Sequence, residues 1–313
     1  MTAGTEAAAT TAAAGRAGSA FLVGQFAPGS PEWREARAGS ITATRIAAVL
    51  GLSPWESPFS LWHRMRGTVS DDIDVTPHME WGTRHEPAIS AKFAEEHPQW
   101  DVQTTGTWAN RERPWQRATP DRLLVYRGRV IGVGELKTSA KDDDWGPDGS
   151  DVIPVHYRCQ VLWQLDTLGL PVAHVACLIS GWDYREYEIR ASSDEQEFMR
   201  ERAREFLDSI QAGAAPKIDG HGETYRVVKQ LPDGVEDTHV DVLPQLADRY
   251  IAARAAMKDA ETELNETRSL LLDEMGNALR AKALGELIAY RTTKPDGSTL
   301  ALQPARAKKK DTA

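Results

Sequence analysis

Cysteine is almost absent. Cys159 and Cys177 are the only two in 313 residues, which excludes a disulfide framework and a Cys-rich zinc or iron–sulfur site. The expected compartment is reducing cytoplasm. No apolar run approaches the length of a membrane span, so no membrane association is expected. A basic excess is missing too. The formal net charge is −9, which does not suggest a general nucleic-acid coat protein, although a local basic channel can sit in an acidic chain. Residues 1–20 are rich in Ala, Thr and Gly, with Arg16 as the lone basic residue. They lack a basic start and a strong apolar core, so they read as a disordered tail rather than a signal peptide. What is present is 41% apolar composition, enough for one large domain or a domain with an appendage.

The most informative stretch runs from Arg117 to Lys137. Leu123 to Tyr126 form one apolar run, and Val130, Ile131 and Val133 form a second. Val, Ile and Tyr favour strands, and Arg127-Gly128 between the runs is a hairpin signal. Residues two apart on a strand share a face, so Glu135 and Lys137 point one way and Leu136 points into the core. The fold-back carries Asp121 beside Glu135. Two carboxylates and an ammonium at one spot are compatible with a surface salt bridge. The form P-D followed by E-x-K also resembles the PD-(D/E)xK nuclease motif. Phosphodiester hydrolysis by such a site uses a divalent ion that polarises the phosphate and acidifies a water. Mg²⁺ takes hard oxygen ligands, which Asp121, Glu135 and the Leu136 carbonyl can supply, and Mn²⁺ is expected to substitute. Lys137 would orient or help deprotonate the attacking water and offset negative charge.

Upstream, residues 31–37 suit a short helix, and Thr42 is placed to cap a second one over Ala43 to Leu50. Arg37 and the hydroxyls of Thr42 and Thr44 then lie near a helix start, a ready anion site; a solvated Arg37 fits the spacing equally. Ser57-Pro58 opens another helix. Asp71, Asp72 and Asp74 make a solvated acidic loop. A longer helix is expected from Thr76-Pro77 to Glu96, kinked or restarted at Pro87. Gly82, Glu86, Ile89 and Phe93 share its face, and a carboxylate on an apolar stripe needs a partner or a metal. Residues 104–110 read as one strand, and residues 138–154 as a mobile polar loop. The helix from Val155 to Leu168 carries Tyr157, Gln160 and Gln164 on one side, where an exposed face is the plain expectation. Two strands at 172–180 and 184–189 and a polar helix from Ser193 to Gln211 follow.

Further on, Leu243, Tyr250, Met257, Leu264 and Leu271 recur every seven residues. Leu246, Ala253 and Ala260 fill the intermediate row, and Thr267 and Glu274 end it weakly. Leu284 to Thr293 reads as a strand or hairpin. Five segments are therefore expected: a disordered tail over 1–25, a nuclease domain over 26–211, and a linker over 212–240. A heptad-patterned helical extension with a terminal strand then covers 241–300, and a basic disordered tail covers 301–313.

Five motifs in order carry a more specific resemblance, covering roughly residues 30–190. They are W-x3-R-x-G-x-I-T-A-T from Trp33 to Thr44, W-G-x3-E from Trp81 to Glu86, Pro120-Asp121, Glu135-Leu136-Lys137, and Y-x2-Q from Tyr157 to Gln160. The chain resembles the lambda-exonuclease-like, YqaJ-type viral recombinase family. The resemblance implies an α/β (α+β) fold with a PD-(D/E)xK, restriction-endonuclease-like core, its mixed central sheet flanked by helices, here with a C-terminal helical extension. It implies an Mg²⁺-dependent 5′→3′ exonuclease that acts on double-stranded DNA ends and hands a 3′ strand to a single-strand annealing protein. Asp121 and Glu135 would bind metal with Glu86 nearby. Gln160 would hold the lysine or the scissile phosphate, and Tyr157 would support it. Arg37 and Thr44 would form a 5′-phosphate pocket. Lys141, followed by three aspartates, would be the second phosphate contact. A homo-oligomer, a trimer by resemblance, is implied. An endonuclease of restriction or repair type and a catalytically idle DNA-binding or assembly module are the alternatives.

Overall fold

The structure is a computed structural model that describes residues 18–70 and 76–305. The acidic loop around Asp71 and Asp72, most of the expected N-terminal tail and the Lys-rich C-terminal end lie outside the described residues. The chain divides into two units between Val235 and Glu236.

In chain order the first unit contains β1 (Ala20–Gly24), α1 (Pro31–Glu35), β2 (Ile41–Thr42), α2 (Ile46–Val49), α3 (Pro58–Met65) and α4 (Pro77–Glu96). Strands β3 (Asp101–Thr104), β4 (Thr107–Asn110), β5 (Gln116–Ala118), β6 (Arg122–Tyr126) and β7 (Arg129–Ser139) follow. After them come α5 (Val155–Leu168), β8 (Val172–Ile179), β9 (Asp183–Arg190), α6 (Ser193–Ala212) and α7 (Gly222–Val228). Local chemistry sets the boundaries. Ser30 caps α1 through its side chain, Ser57 and Ser60 form a reciprocal capping box on α3, and Thr76 caps α4. Helix α4 is a single element through Pro87.

The central sheet has the order β3-β6-β7-β8-β9. Only β7 and β8 run parallel, joined by α5, and their neighbours are antiparallel. This is the mixed sheet flanked by helices that the motifs imply. The β6–β7 turn has both Arg127 and Gly128 at positive φ, 49° and 74°, the primed geometry that matches strand twist. The two faces of the sheet sort by alternation. Leu123, Val133 and Val175 join the core that includes Trp163 and Leu165 of α5. Leu124, Leu136 and Ala176 pack with Ile89 and Phe93 of α4. A second sheet, β1-β4-β5-β2, carries the N-terminal segment.

Several expectations are corrected. Residues 20–24 are not part of a disordered tail: Ala20-Phe21-Leu22 form a strand along β4, with apolar residues whose burial the preceding Ala-rich composition masked. Residues 104–110 are not one strand. The chain leaves the central sheet after Thr104 and enters the second sheet at Thr107. Gly106 allows the passage, since a Cβ there would lie 2.2 Å from the Gly24 carbonyl oxygen. Thr42 does not cap a helix over Ala43 to Leu50. It is the last residue of β2, and α2 begins at Ile46 without a side-chain cap. The stretch 212–240 is not merely a linker. Helix α7 docks on α3 through Thr224 Oγ1 donating to Ser57 Oγ at 2.6 Å and the Arg64–Glu223 pair at 2.9 Å.

The second unit consists of α8 (Pro244–Met275) and an antiparallel sheet of β10 (Arg280–Ala283), β11 (Glu286–Thr293) and β12 (Thr299–Pro304). The heptad stretch is thus one helix of 32 residues. The strand after it is the middle of three, and the basic tail gives way to strand as far as Pro304.

Candidate active site

The hairpin register pairs Arg122 with Gly134, so Asp121 stands just before the start of β6, level with Glu135. Its Oδ2 accepts a hydrogen bond from the Leu136 amide at 2.8 Å. A strand residue directs its N–H and C=O to the same edge, so the Leu136 carbonyl also faces Asp121. Glu135 is 1% exposed and its carboxylate is surrounded by donors. Lys137 Nζ donates to Oε1 at 2.5 Å, Gln160 Nε2 donates to the same oxygen, and Gln164 Nε2 donates to Oε2 at 2.7 Å. The ring of Tyr157 lies 4.9 Å from the Lys137 ammonium.

Electrostatics follow from burial. Burial first, then the Glu135 charge alongside, pushes the Asp121 carboxyl up to about 7. Burial alone would lower Lys137, but the Glu135 and Asp121 carboxylates outweigh it and hold the ammonium above its usual range. Lys137 is therefore a fixed cation that can orient a water and offset charge. Burial also raises the Tyr157 phenol.

Glu86 lines the same cleft as Asp121, Leu136, Lys137 and Tyr157, a space of about 300 Å³. It comes from the opposite side of the sheet, on α4, and is held by Arg122 Nη1 at 2.8 Å. Arg122 also donates to Ser90 Oγ at 2.8 Å and to the Asp121 carbonyl at 2.6 Å. A methyl group on Gly134 would press to 3.2 Å from the Arg122 Cβ, so this glycine gives Arg122 its room. Among the described residues no three His, Cys, Asp or Glu side chains gather as metal ligands. The oxygen donors facing Asp121 are that carboxylate, Glu135 and the Leu136 carbonyl, with Glu86 engaged by Arg122.

The glutamines do not lie on an exposed face. Gln164 is fully buried, and its Oε1 finds no partner among the described residues. Its amide is thus committed to Glu135 at the expense of its own carbonyl. Gln160 holds Glu135 rather than the lysine. Because Gln164 is the donor to Glu135 Oε2 among the described residues, Gln164→Leu is expected to cost about 1–3 kcal/mol. Gln160→Leu is expected to cost less, since Lys137 still serves Oε1. Urea unfolding midpoints of the two variants would check the order.

Elsewhere, Arg37 Nη2 donates to Thr44 Oγ1 at 2.9 Å and to Thr42 Oγ1 at 3.2 Å, with its guanidinium 4.2 Å from the Trp33 ring centroid. Arg117, level with Thr42 in the β2–β5 pairing, donates to the Ala36 carbonyl. This second guanidinium does not stand out in the sequence, because β5, at three residues, is too short for alternation to reveal it. Trp163 of α5 donates to the Ile41 carbonyl at 3.2 Å, so α5 braces Glu135 from one side and the Arg37 loop from another. Lys141 is not brought to the cleft. It lies on the exposed loop after β7, 4.0 Å from Asp143, where the acidic run attracts it.

Residues 32–170 match the model of the YqaJ-like viral recombinase domain. Over these residues the chain is similar to that domain. Asp121, Glu135, Lys137, Gln160 and Gln164 all fall within it. The uncharacterized protein YqaJ of Bacillus subtilis (strain 168) is 23% identical over 256 residues, covering 79% of this chain and 78% of that protein. Among solved structures, an alkaline exonuclease from Laribacter hongkongensis is similar at TM-score 0.49 and 18% identity, over 65% of this chain and 100% of that one. A phage related exonuclease from Haemophilus somnus 129PT is similar at TM-score 0.38 and 13% identity, over 62% and 92%.

Proposed function

We propose that the protein is a DNA exonuclease that hydrolyses linear duplex DNA 5′→3′ with Mg²⁺ and leaves 3′ single strands for phage-type recombination. The observation that carries this reading is the meeting of Asp121, Glu135 and Lys137 at one edge of the central sheet. The viral recombinase family supports the biological setting. A hard divalent cation fits the donors present, since Mg²⁺ is commonly held by one or two carboxylates and completed by water and substrate phosphate. Desolvation and the Glu135 charge both disfavour an ionised Asp121, and a bound cation would offset that cost. Asp121, Glu135 and the Leu136 carbonyl would hold the ion, and when bound it would polarise the phosphate and acidify a water.

The chain's own groups do the rest. Gln160 and Gln164 fix the Glu135 carboxylate. Lys137, held as an ammonium between Glu135 and Tyr157, would orient the attacking water and balance charge on the phosphate oxygens. Glu86, locked by Arg122, shapes the cleft wall. Arg37 and Thr44 would receive the 5′-phosphate of the DNA end, with Arg117 adding positive charge. A single-strand annealing protein would take the product strand.

The test is digestion of linear and closed circular duplex, with and without 5′-phosphate, in Mg²⁺, Mn²⁺ or EDTA. Metal-dependent shortening of linear DNA alone is expected; nicking of the circle would favour an endonuclease. In the same assay Arg37→Ala should weaken the preference for phosphorylated ends by about ten- to a hundredfold. That range corresponds to loss of a charge-assisted bond of roughly 1.5–3 kcal/mol. An unchanged ratio of rates on the two ends would remove Arg37 from the pocket.

A further inference from the structure

Helix α8 has a surface that its own unit does not use. At 1.5 Å per residue its 32 residues extend about 48 Å, and Met275 alone is buried. The link to the sheet is at its last turn, where Arg291 donates to the Leu272 carbonyl at 2.9 Å. Within its own unit the heptad row is largely uncovered, with Met257 75% and Leu246 56% exposed. An apolar seam of this length drives association.

We propose that α8 pairs with α8 of a second copy of the chain, antiparallel. Shape and charge both select this arrangement over the parallel one. Tyr250, Met257 and Leu264 form the large row, and Ala253 and Ala260 form the small one. A parallel pair sets small against small, Ala253 on Ala253 and Ala260 on Ala260, and leaves voids that cores avoid. An antiparallel pair sets each row against the other. With Leu246 opposite Leu271 of the second copy, the same register puts Ala253 opposite Leu264 and Ala260 opposite Met257. Large residues then fill the space that the alanines leave.

The flanking charges agree. In the antiparallel register Arg254 of each copy faces Glu261 of the other, twice by symmetry. The parallel register would bring Arg249 against Arg254, two like charges on each side, and its one attractive pair, Glu263 against Arg268, only offsets them. More broadly, Arg249, Arg254 and Lys258 lie in the first half of the helix and Glu261, Glu263, Glu266, Asp273 and Glu274 in the second, with Asp248, Asp259 and Arg268 as the minority charges. Reversal of direction matches these halves.

The experiment uses the full chain. Light scattering at micromolar concentration is expected to show an even number of copies per particle. Arg254→Glu should weaken association about tenfold at low salt, as two attractive pairs become repulsive. Arg254→Glu combined with Glu261→Arg should restore it. Orientation is read by thiol cross-linking, since the native Cys159 and Cys177 are both buried. Ala253→Cys and Leu264→Cys proteins, unfolded and refolded together, should link to each other, and neither should link to itself. Self-linking of Ala253→Cys would overturn the antiparallel arrangement. A monomeric wild-type chain, or failure of the charge swap to restore association, would overturn the pairing itself.

Discussion

Asp121→Asn is expected to abolish metal-dependent cleavage and, at the same time, to stabilise the metal-free protein above pH 7. The two effects share one cause. Asp121 is half-buried beside Glu135, and desolvation first, then the Glu135 charge, raises its carboxyl from 3.8 to about 7. A group whose folded pKa is raised favours folding while protonated. Its contribution is full below the unfolded value, and it is lost as pH rises through about 7. Above that pH the wild-type, kept in EDTA, carries a buried carboxylate pair with one ammonium between them. Asn removes the charge and the titration together. Thermal unfolding from pH 5 to 9 in EDTA should show the variant gaining on the wild-type as pH rises, by a few kcal/mol on the order-of-magnitude scale of linkage. Added Mg²⁺ should stabilise the wild-type and not the variant, because an ion that binds only the folded state adds stability. Cleavage should fall by about a hundredfold or more, since a bound ion supplies several kcal/mol of charge stabilisation. A variant that cleaves at the wild-type rate would remove Asp121 from the site. A variant whose stability tracks the wild-type across the whole range would mean that Asp121 is not strained by Glu135.

What could be read in the sequence was whatever depends on local order. The β6–β7 hairpin announced itself through Val130, Ile131 and Val133 and the Arg127-Gly128 turn, and strand alternation then placed Glu135 and Lys137 together. Glu86 stood out as a carboxylate on an apolar stripe. Its partner did not, because an arginine next to Asp121 at a strand start looks like any solvated cation until Gly134 and Ser90 are seen around it. Gln164 reads as an exposed residue for a similar reason. A glutamine on a helix is ordinarily exposed, and only the packing of α5 across β7 turns that face inward. The switch between sheets at Gly106 depends on how close Gly24 comes, a tertiary fact. The strand Ala20–Gly24 was legible in Ala-Phe-Leu-Val but was lost beside the composition that precedes it.

Glu135 should behave in the opposite sense to Asp121. It is the hub of the site, with Lys137, Gln160 and Gln164 all donating to it. Lys137 is itself only 16% exposed at the side chain. Glu135→Ala therefore leaves an ammonium in a buried position without its nearest counter-charge and two amides without an acceptor. Breaking a buried pair on one side costs about 3–5 kcal/mol, and the low end is expected here because Asp121 remains to face Lys137. The same change relieves Asp121, whose carboxyl loses a repelling neighbour and should titrate closer to its ordinary range. Removing Lys137 as well, in Glu135→Ala with Lys137→Met, should recover much of the lost stability, because the uncompensated charge is gone and its alkyl volume is kept. Activity should stay absent in both variants, since neither restores an oxygen ligand. A double-mutant cycle on urea midpoints, run beside the cleavage assay, separates the two effects. If Glu135→Ala unfolds at the wild-type midpoint, the carboxylate does not hold Lys137, and the charge balance assigned to this edge of the sheet is wrong.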